Sequence, residues 1–238
     1  MLKVELHAHT ADDPRDQIPY STIDLIDRAA ALGYDALAIT LHDHQLDLKP
    51  FTPYARERGI TLIPGVELTI RGKHVLLINF RVPVEQIQSF DDLVAVRKRC
   101  NGLVIAPHPF FPLRSCLGDV MDAYPALFDA VEFNGFYTAT VNFNRAAARW
   151  AAAHGRPMVG NGDVHRLSQL GTTYSLIESD RDVDAICEAT KRGATEIRTE
   201  PRSWAHCGRV LRSMMLSNIW PATRPRDPAP ALDQRPLR

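Results

Sequence analysis

The sequence predicts an α/β fold, a single barrel-like domain whose loops on one face carry a site. Three observations lead there. Short apolar runs alternate with amphipathic segments, the pattern of βα units around a mostly parallel sheet. The 238-residue length suits one α/β barrel. Most of the histidines stand just after a predicted strand and not on an apolar helix face.

Taken in order, Val4 to Leu6 opens as a strand. Ser21 with Asp24 three residues on forms a capping box for a helix that stops at Gly33, and Ala36 to Thr40 is the next strand. Phe51 to Arg58 reads as a helix, Thr61 to Pro64 as a strand, and Glu67 to Ile70 with His74 to Phe80 as a hairpin around Arg71-Gly72. Asp91 to Arg99 and Phe143 to His154 read as helices, and Leu103 to Ala106, Ala130 to Phe133 and Pro157 to Gly160 as buried strands. A strand over Tyr174 to Ile177, a helix over Val183 to Arg192 and a strand near Glu196 to Arg198 follow. Trp204 to Ile219 is a closing helix, because Val210, Leu211, Met214, Met215 and Ile219 recur at helical spacing. The barrel therefore spans 1–219, and the proline-rich, aperiodic 220–238 reads as a disordered tail.

Composition narrows the function. Lysine plus arginine equals aspartate plus glutamate at 28 each, so no global positive field gathers long polyanions, and extended nucleic-acid binding loses weight. A few arginines can still bind one phosphate at short range, which leaves a small phosphorylated substrate open. The four cysteines form no C-x-x-C pair and are expected to be reduced and mostly buried. No apolar run reaches membrane-spanning length and the N-terminus has no signal pattern, so a cytoplasmic protein is expected.

Six strand ends carry metal-ligand residue types. His7 and His9 form an H-x-H pair whose side chains point the same way in extended backbone. His42 and His44 follow the second strand; Glu67, His108 and Glu132 follow later ones; Asp163 and His165 form a D-x-H pair after the run that ends at Gly160. Each alone has a bland reading, such as an edge-strand histidine or a solvated carboxylate, but loops at one end of a barrel converge, so together they indicate a shared site. Histidine with carboxylate, and no cysteine, suits zinc, manganese or iron with room left for water. His74 reads as a core or hairpin histidine, and His154 and His206 lie on predicted helices and read as structural.

The ordered set ELHAHT, ALAIT-L-H, GVE, APHP, VEFN and GNGDVH resembles the polymerase and histidinol phosphatase (PHP) family from the N-terminus to the closing helix. That resemblance implies a distorted (β/α)7, TIM-barrel-like fold with two or three divalent metal ions at its mouth, and phosphoester hydrolysis as the common activity. It implies His7, His9, Glu67 and Asp163 around a first metal, with Glu67 bridging to a second that also takes His108 and Glu132. His42, His165 and either Asp12 or Asp13 would hold a third, with His44 a further candidate. The sequence departs from the family at Leu41, where T-D-H is common, and at Ala11-Asp12-Asp13-Pro14, where S-D-G is common.

The expected activity is hydrolysis of a phosphate ester by a water that two metals share and activate as hydroxide. Asp163 and His165 are the candidates for proton handling, and Arg15, Arg114 and Arg166 for binding the phosphate. The rival readings are a metal-dependent amidohydrolase, a nuclease acting on ends of short nucleic acid with Phe110, Phe111, Phe136 and Tyr137 as stacking surfaces, and a non-catalytic metal-binding module.

Overall fold

A computed structural model describes residues 1–219. The proline-rich segment 220–238 lies outside the described residues. The chain runs β1 (Leu2–Glu5), α1 (Thr22–Ala31), β2 (Ala36–Ile39), α2 (Thr52–Glu57), β3 (Thr61–Ile70), β4 (Lys73–Ile78), α3 (Phe90–Arg97) and β5 (Leu103–Ala106). It continues through α4 (Val120–Ala123), β6 (Ala130–Asn134), α5 (Asn144–Ala153), β7 (Met158–Asn161), β8 (Thr173–Ile177), α6 (Val183–Lys191), β9 (Thr195–Thr199) and α7 (Trp204–Ile219). The Ser21–Asp24 capping box opens α1 as its spacing predicts, with both reciprocal hydrogen bonds made.

One nine-stranded sheet in the order β7-β6-β5-β4-β3-β2-β1-β8-β9 curls into a nearly closed barrel. The sequence predicts a mostly parallel sheet, but β4 is antiparallel to both β3 and β5, and β8 to both β1 and β9. The first reversal is local. Arg71 and Gly72 both adopt positive φ (49° and 78°), the two-residue hairpin turn that forces the next strand to run back. The predicted strands 61–64 and 67–70 are one strand, whose first four residues pair with β2 and the rest with β4. Because β4 is inserted between β3 and β5, the strands β1, β2, β3, β5, β6 and β7 still share one direction, and their C-terminal ends meet at one mouth.

Alternation along the strands builds two layers. Ala36 and Ala38 of β2 face inward with Val4, Ile63, Ile105 and Val159, while Leu37 and Ile39 face outward onto α1 and α2. Ile186, Cys187 and Ala189 of α6 join the inner cluster, so this helix closes the end of the barrel opposite the mouth. No backbone ladder joins β7 to β8 or β9 among the described residues. Side-chain hydroxyls close that seam instead: Gly160 N–H donates to Ser175 Oγ (2.9 Å), Ser175 Oγ donates to the Gly160 carbonyl (3.1 Å), and Thr195 Oγ1 donates to the Met158 carbonyl (3.0 Å). No helix among the described residues is long and apolar enough to cross a membrane.

The seam is close at Gly160, where an added Cβ would stand 2.7 Å from Ile197 Cγ2 and 2.9 Å from the Tyr174 carbonyl oxygen. Gly160→Ala is therefore expected to destabilise the fold by about 1–3 kcal/mol, as overpacking does. Gly208→Ala, where α7 leaves open space, should raise stability by about 0.5–1 kcal/mol. Urea midpoints of the two variants check the pair, and equal midpoints would refute the seam's tightness.

Candidate metal centre

Glu67 sits where β3 passes the end of β2, level with His42 through an isolated parallel bridge. It is almost fully buried, yet five imidazoles reach it. Its Oε2 lies 3.3 Å from His7 Nε2, 3.4 Å from His9 Nε2 and 3.1 Å from His42 Nε2. Its Oε1 lies 2.8 Å from His74 Nδ1 and 3.2 Å from His108 Nε2. Burial pushes this carboxyl up, but the charge of His7 and hydrogen bonds from His108 and His74 outweigh burial and hold it well below the ordinary range. Asp163, after β7, completes the centre, with Oδ1 3.4 Å from His7 Nε2 and 3.3 Å from His165 Nδ1.

Three of the rings share one arrangement, in which a carboxylate holds Nδ1 and turns Nε2 toward the centre. His7 Nδ1 donates to Glu132 Oε1 (2.8 Å), and His9 Nδ1 and His42 Nδ1 both donate to Asp13 Oδ2 (2.9 Å each). Such partners fix the tautomer and orientation of a metal-binding imidazole. His108 Nδ1 meets the buried Cys116 thiol instead, at 3.4 Å. His165 lies between two carboxylates, with Nε2 3.0 Å from Asp16 Oδ2. Burial lowers the affinity of His165 for a proton, but Asp163 and Asp16 outweigh it and raise its pKa to about 10.

The donor set fits divalent cations. His7 Nε2, His9 Nε2 and Asp163 Oδ1 are buried without a hydrogen-bond partner, converge on Glu67, and would each find a partner in a cation placed among them. Four overlapping trios of ligand atoms lie within 4.8 Å of one another, among them His7-His9-Glu67, His42-Glu67-His74 and His9-His42-His165. Two candidate ligands also hold strained backbone, with φ of 29° at His108 and 48° at Asp163, a feature that gathers at functional sites.

The structure reassigns several predicted residues. Both oxygens of Glu132 are already occupied, by His7 Nδ1 and Asn161 Nδ2 on one side and by His108 N–H and Asn134 Nδ2 on the other. Glu132 forms one of the metal-competent groups with His7 and His108, and its four donors also equip it to orient those two residues. Asp13 is likewise saturated, since its Oδ1 accepts from the backbone of Arg15 and Asp16 while its Oδ2 holds the two rings. Asp12 accepts from the Thr10 and Thr22 hydroxyls. The acidic group that reaches His165 is Asp16, a residue sequence reasoning missed because the loop departs from the family spacing. His74 was missed as well. It lies on β4, and the antiparallel insertion of that strand turns the ring onto Glu67.

His44 is exposed and belongs to none of the metal-competent groups among the described residues. Leu41 is fully buried in the apolar cluster under α1, and its backbone carbonyl accepts from Glu67 N–H. Asp43 does not replace the missing aspartate of T-D-H, for it pairs with Arg15 and accepts from Thr69 N–H. The three candidate phosphate-binding arginines are held elsewhere or stand apart: Arg15 bonds Asp43 and Thr69, Arg166 bonds Ser213 and the His165 carbonyl, and Arg114 is exposed outside the cavity lining. His154 bonds and stacks on Trp150, and His206 accepts from Arg202.

An arginine that carries no motif braces the mouth. Buried Arg202 donates to the carbonyls of Gly135, Ser168 and Gln169, which ties the loop after β6 to the loop after β7 that bears Asp163 and His165.

Residues 141–195 match the PHP-associated family. The fold is similar to that of a two-domain protein from Bacteroides vulgatus ATCC 8482 containing a predicted PHP-like metal-dependent phosphoesterase. The TM-score is 0.68 at 19% identity, over 90% of this chain and 69% of that one. It is similar also to PsfC from Pseudomonas syringae PB-5123, with a TM-score of 0.62 at 18% identity over 92% and 97% of the two chains. The lesion-specific endonuclease Q of Pyrococcus furiosus aligns with a TM-score of 0.56 at 18% identity, over 82% of this chain and 57% of that one. A search of curated proteins finds no match. The family match over 141–195, the shared barrel and the ligand-bearing strand ends in their characteristic order together support a place in the PHP domain family.

Proposed function

We propose that this chain is a metal-dependent phosphoesterase. The observation that carries the reading is the convergence of His7 Nε2, His9 Nε2 and Asp163 Oδ1, buried and unpartnered, on the carboxylate of Glu67. Two or three divalent ions, zinc, manganese or iron, suit these donors. His7, His9, Glu67 and Asp163 would hold one, Glu67 with His74 and His108 a second, and His42, His165 and Asp16 a third. When bound, such ions lower the pKa of water and neutralise phosphoryl oxygens.

The chain's own residues do the positioning. Glu132 and Asp13 hold three imidazoles in the tautomer that presents Nε2 to the centre. Asn134 Nδ2 donates to both Glu132 and Asp163, coupling an orienting carboxylate to a ligating one. Asp163, kept ionised because His7 and His165 outweigh its burial, is placed to accept a proton from water, and with only two ions bound His165 beside it would be placed to serve the leaving alcohol.

Elemental analysis of gently purified protein is expected to find two or three divalent ions per chain, with hydrolysis of an aryl phosphate monoester or diester that His7→Ala abolishes. Metal without hydrolysis of either ester would move the assignment to an amide-cleaving or binding function. The reassigned carboxylates give a separate check by metal titration. Asp16→Asn should lower the stoichiometry by one ion, Asp12→Asn should leave it unchanged, and Glu132→Gln should weaken metal affinity about 10–100-fold. Loss of an ion in Asp12→Asn but not in Asp16→Asn would reverse the assignment.

A further inference from the structure

The cavity above the metal centre holds about 240 Å³, below the roughly 300–1,000 Å³ of drug-sized ligand pockets, so it takes a phosphoryl group and little more. What the rest of a substrate meets is the rim, where Phe111, Leu113, Phe136 and Leu211 line the opening. Leu113 and Leu211 are 62% and 49% exposed, unusual for leucine side chains that meet at one opening. Phe111 is braced by Phe143 at a ring separation of 5.3 Å, so the apolar surface continues onto the loop after β6.

The two amides that line the cavity are already engaged within the protein, and Ser115 is its one hydroxyl among the described lining residues. Asn134 donates to Glu132 and Asp163 and accepts from Phe136 N–H. Gln169 accepts from the backbone of His165 and Arg166 and donates to the Asp163 carbonyl. No lysine or arginine lines the cavity among the described residues. A sugar, glycerol or nucleoside group seated here would give up water for its hydroxyls and find few partners in exchange, whereas an apolar group loses nothing.

We propose that the site takes a small phosphate ester of an apolar alcohol, with the aryl or branched alkyl group seated on Phe111, Leu113, Phe136 and Leu211. This specificity rests on the phosphoesterase reading. In the reaction, water adds its oxygen to phosphorus, the bond from phosphorus to the ester oxygen breaks, and that oxygen leaves with a proton as the free alcohol beside inorganic phosphate.

The experiment compares phenethyl phosphate with glycerol phosphate and a short 5′-phosphorylated oligonucleotide. The first two are esters of primary alcohols, so their intrinsic reactivities are similar. The metal-loaded wild type is expected to prefer phenethyl phosphate in kcat/KM by about 100-fold, and the Leu113→Ser, Leu211→Ser double variant, altered only at exposed positions, should reduce that ratio about tenfold. In parallel, calorimetry with phenylpropyl phosphonate, an unhydrolysable isostere, should show binding with a negative heat-capacity change that shrinks in the double variant. Hydrolysis without preference, or preference for the oligonucleotide, overturns the apolar subsite while leaving the phosphoesterase reading intact. Phosphonate binding with no hydrolysis of any ester overturns the phosphoesterase reading and leaves the subsite standing.

Discussion

The buried carboxylate of Glu67 is the constraint around which the rest is arranged. An isolated ionised carboxylate cut off from water is strongly disfavoured, and this one is tolerated because five imidazoles from four separate chain segments face it. Those rings must in turn be held, and the carboxylates of Asp13 and Glu132 do so from behind. Removing any one group leaves a partner buried and unpaired, so the cluster behaves as a unit. A barrel is suited to such a cluster, because strands distant in sequence end side by side.

Closure of the barrel serves the same end. The inner apolar layer and α6 exclude water from below, leaving the mouth as the open approach to the metal centre among the described residues. The hydroxyls of Ser175 and Thr195 hold the one seam without a backbone ladder, directly beneath the loop that bears Asp163 and His165. Arg202 then ties that loop to its neighbour through three carbonyls and an imidazole, a use of guanidinium as a five-donor brace without any carboxylate. Strain at His108 and Asp163 is sustained by this surrounding order.

The lining of the site carries carboxylates and imidazoles but, among the described residues, no lysine or arginine. A protein that bound an extended polyanion would need cationic side chains along the approach, and the arginines nearest the site are paired or stand apart. Recognition therefore divides in two. On the proposed reading the floor would meet the phosphoryl group, and the rim would offer apolar contact.

Much of this was legible in the chain. The alternation of apolar runs and amphipathic segments gives the barrel, because each strand buried on both faces must read as continuously apolar. The H-x-H and D-x-H pairs and the residues after the other strands mark the mouth, because loops that follow parallel strands converge there. Local rules also foretell the Ser21 cap and the Arg71-Gly72 turn, since each depends on a few neighbouring residues. Which carboxylate binds and which orients was decided only in three dimensions. Asp12, Asp13 and Asp16 differ by the path of one loop, and Glu132 meets Asn134, Asn161 and the backbone of His108 as well as the His7 ring. His74 joins the centre because an antiparallel strand enters the sheet beside β3. Sequence pattern determines which loops meet, since that follows from local periodicity; the role of each donor depends on distant partners, 125 positions away for His7 and Glu132, and only packing brings those together.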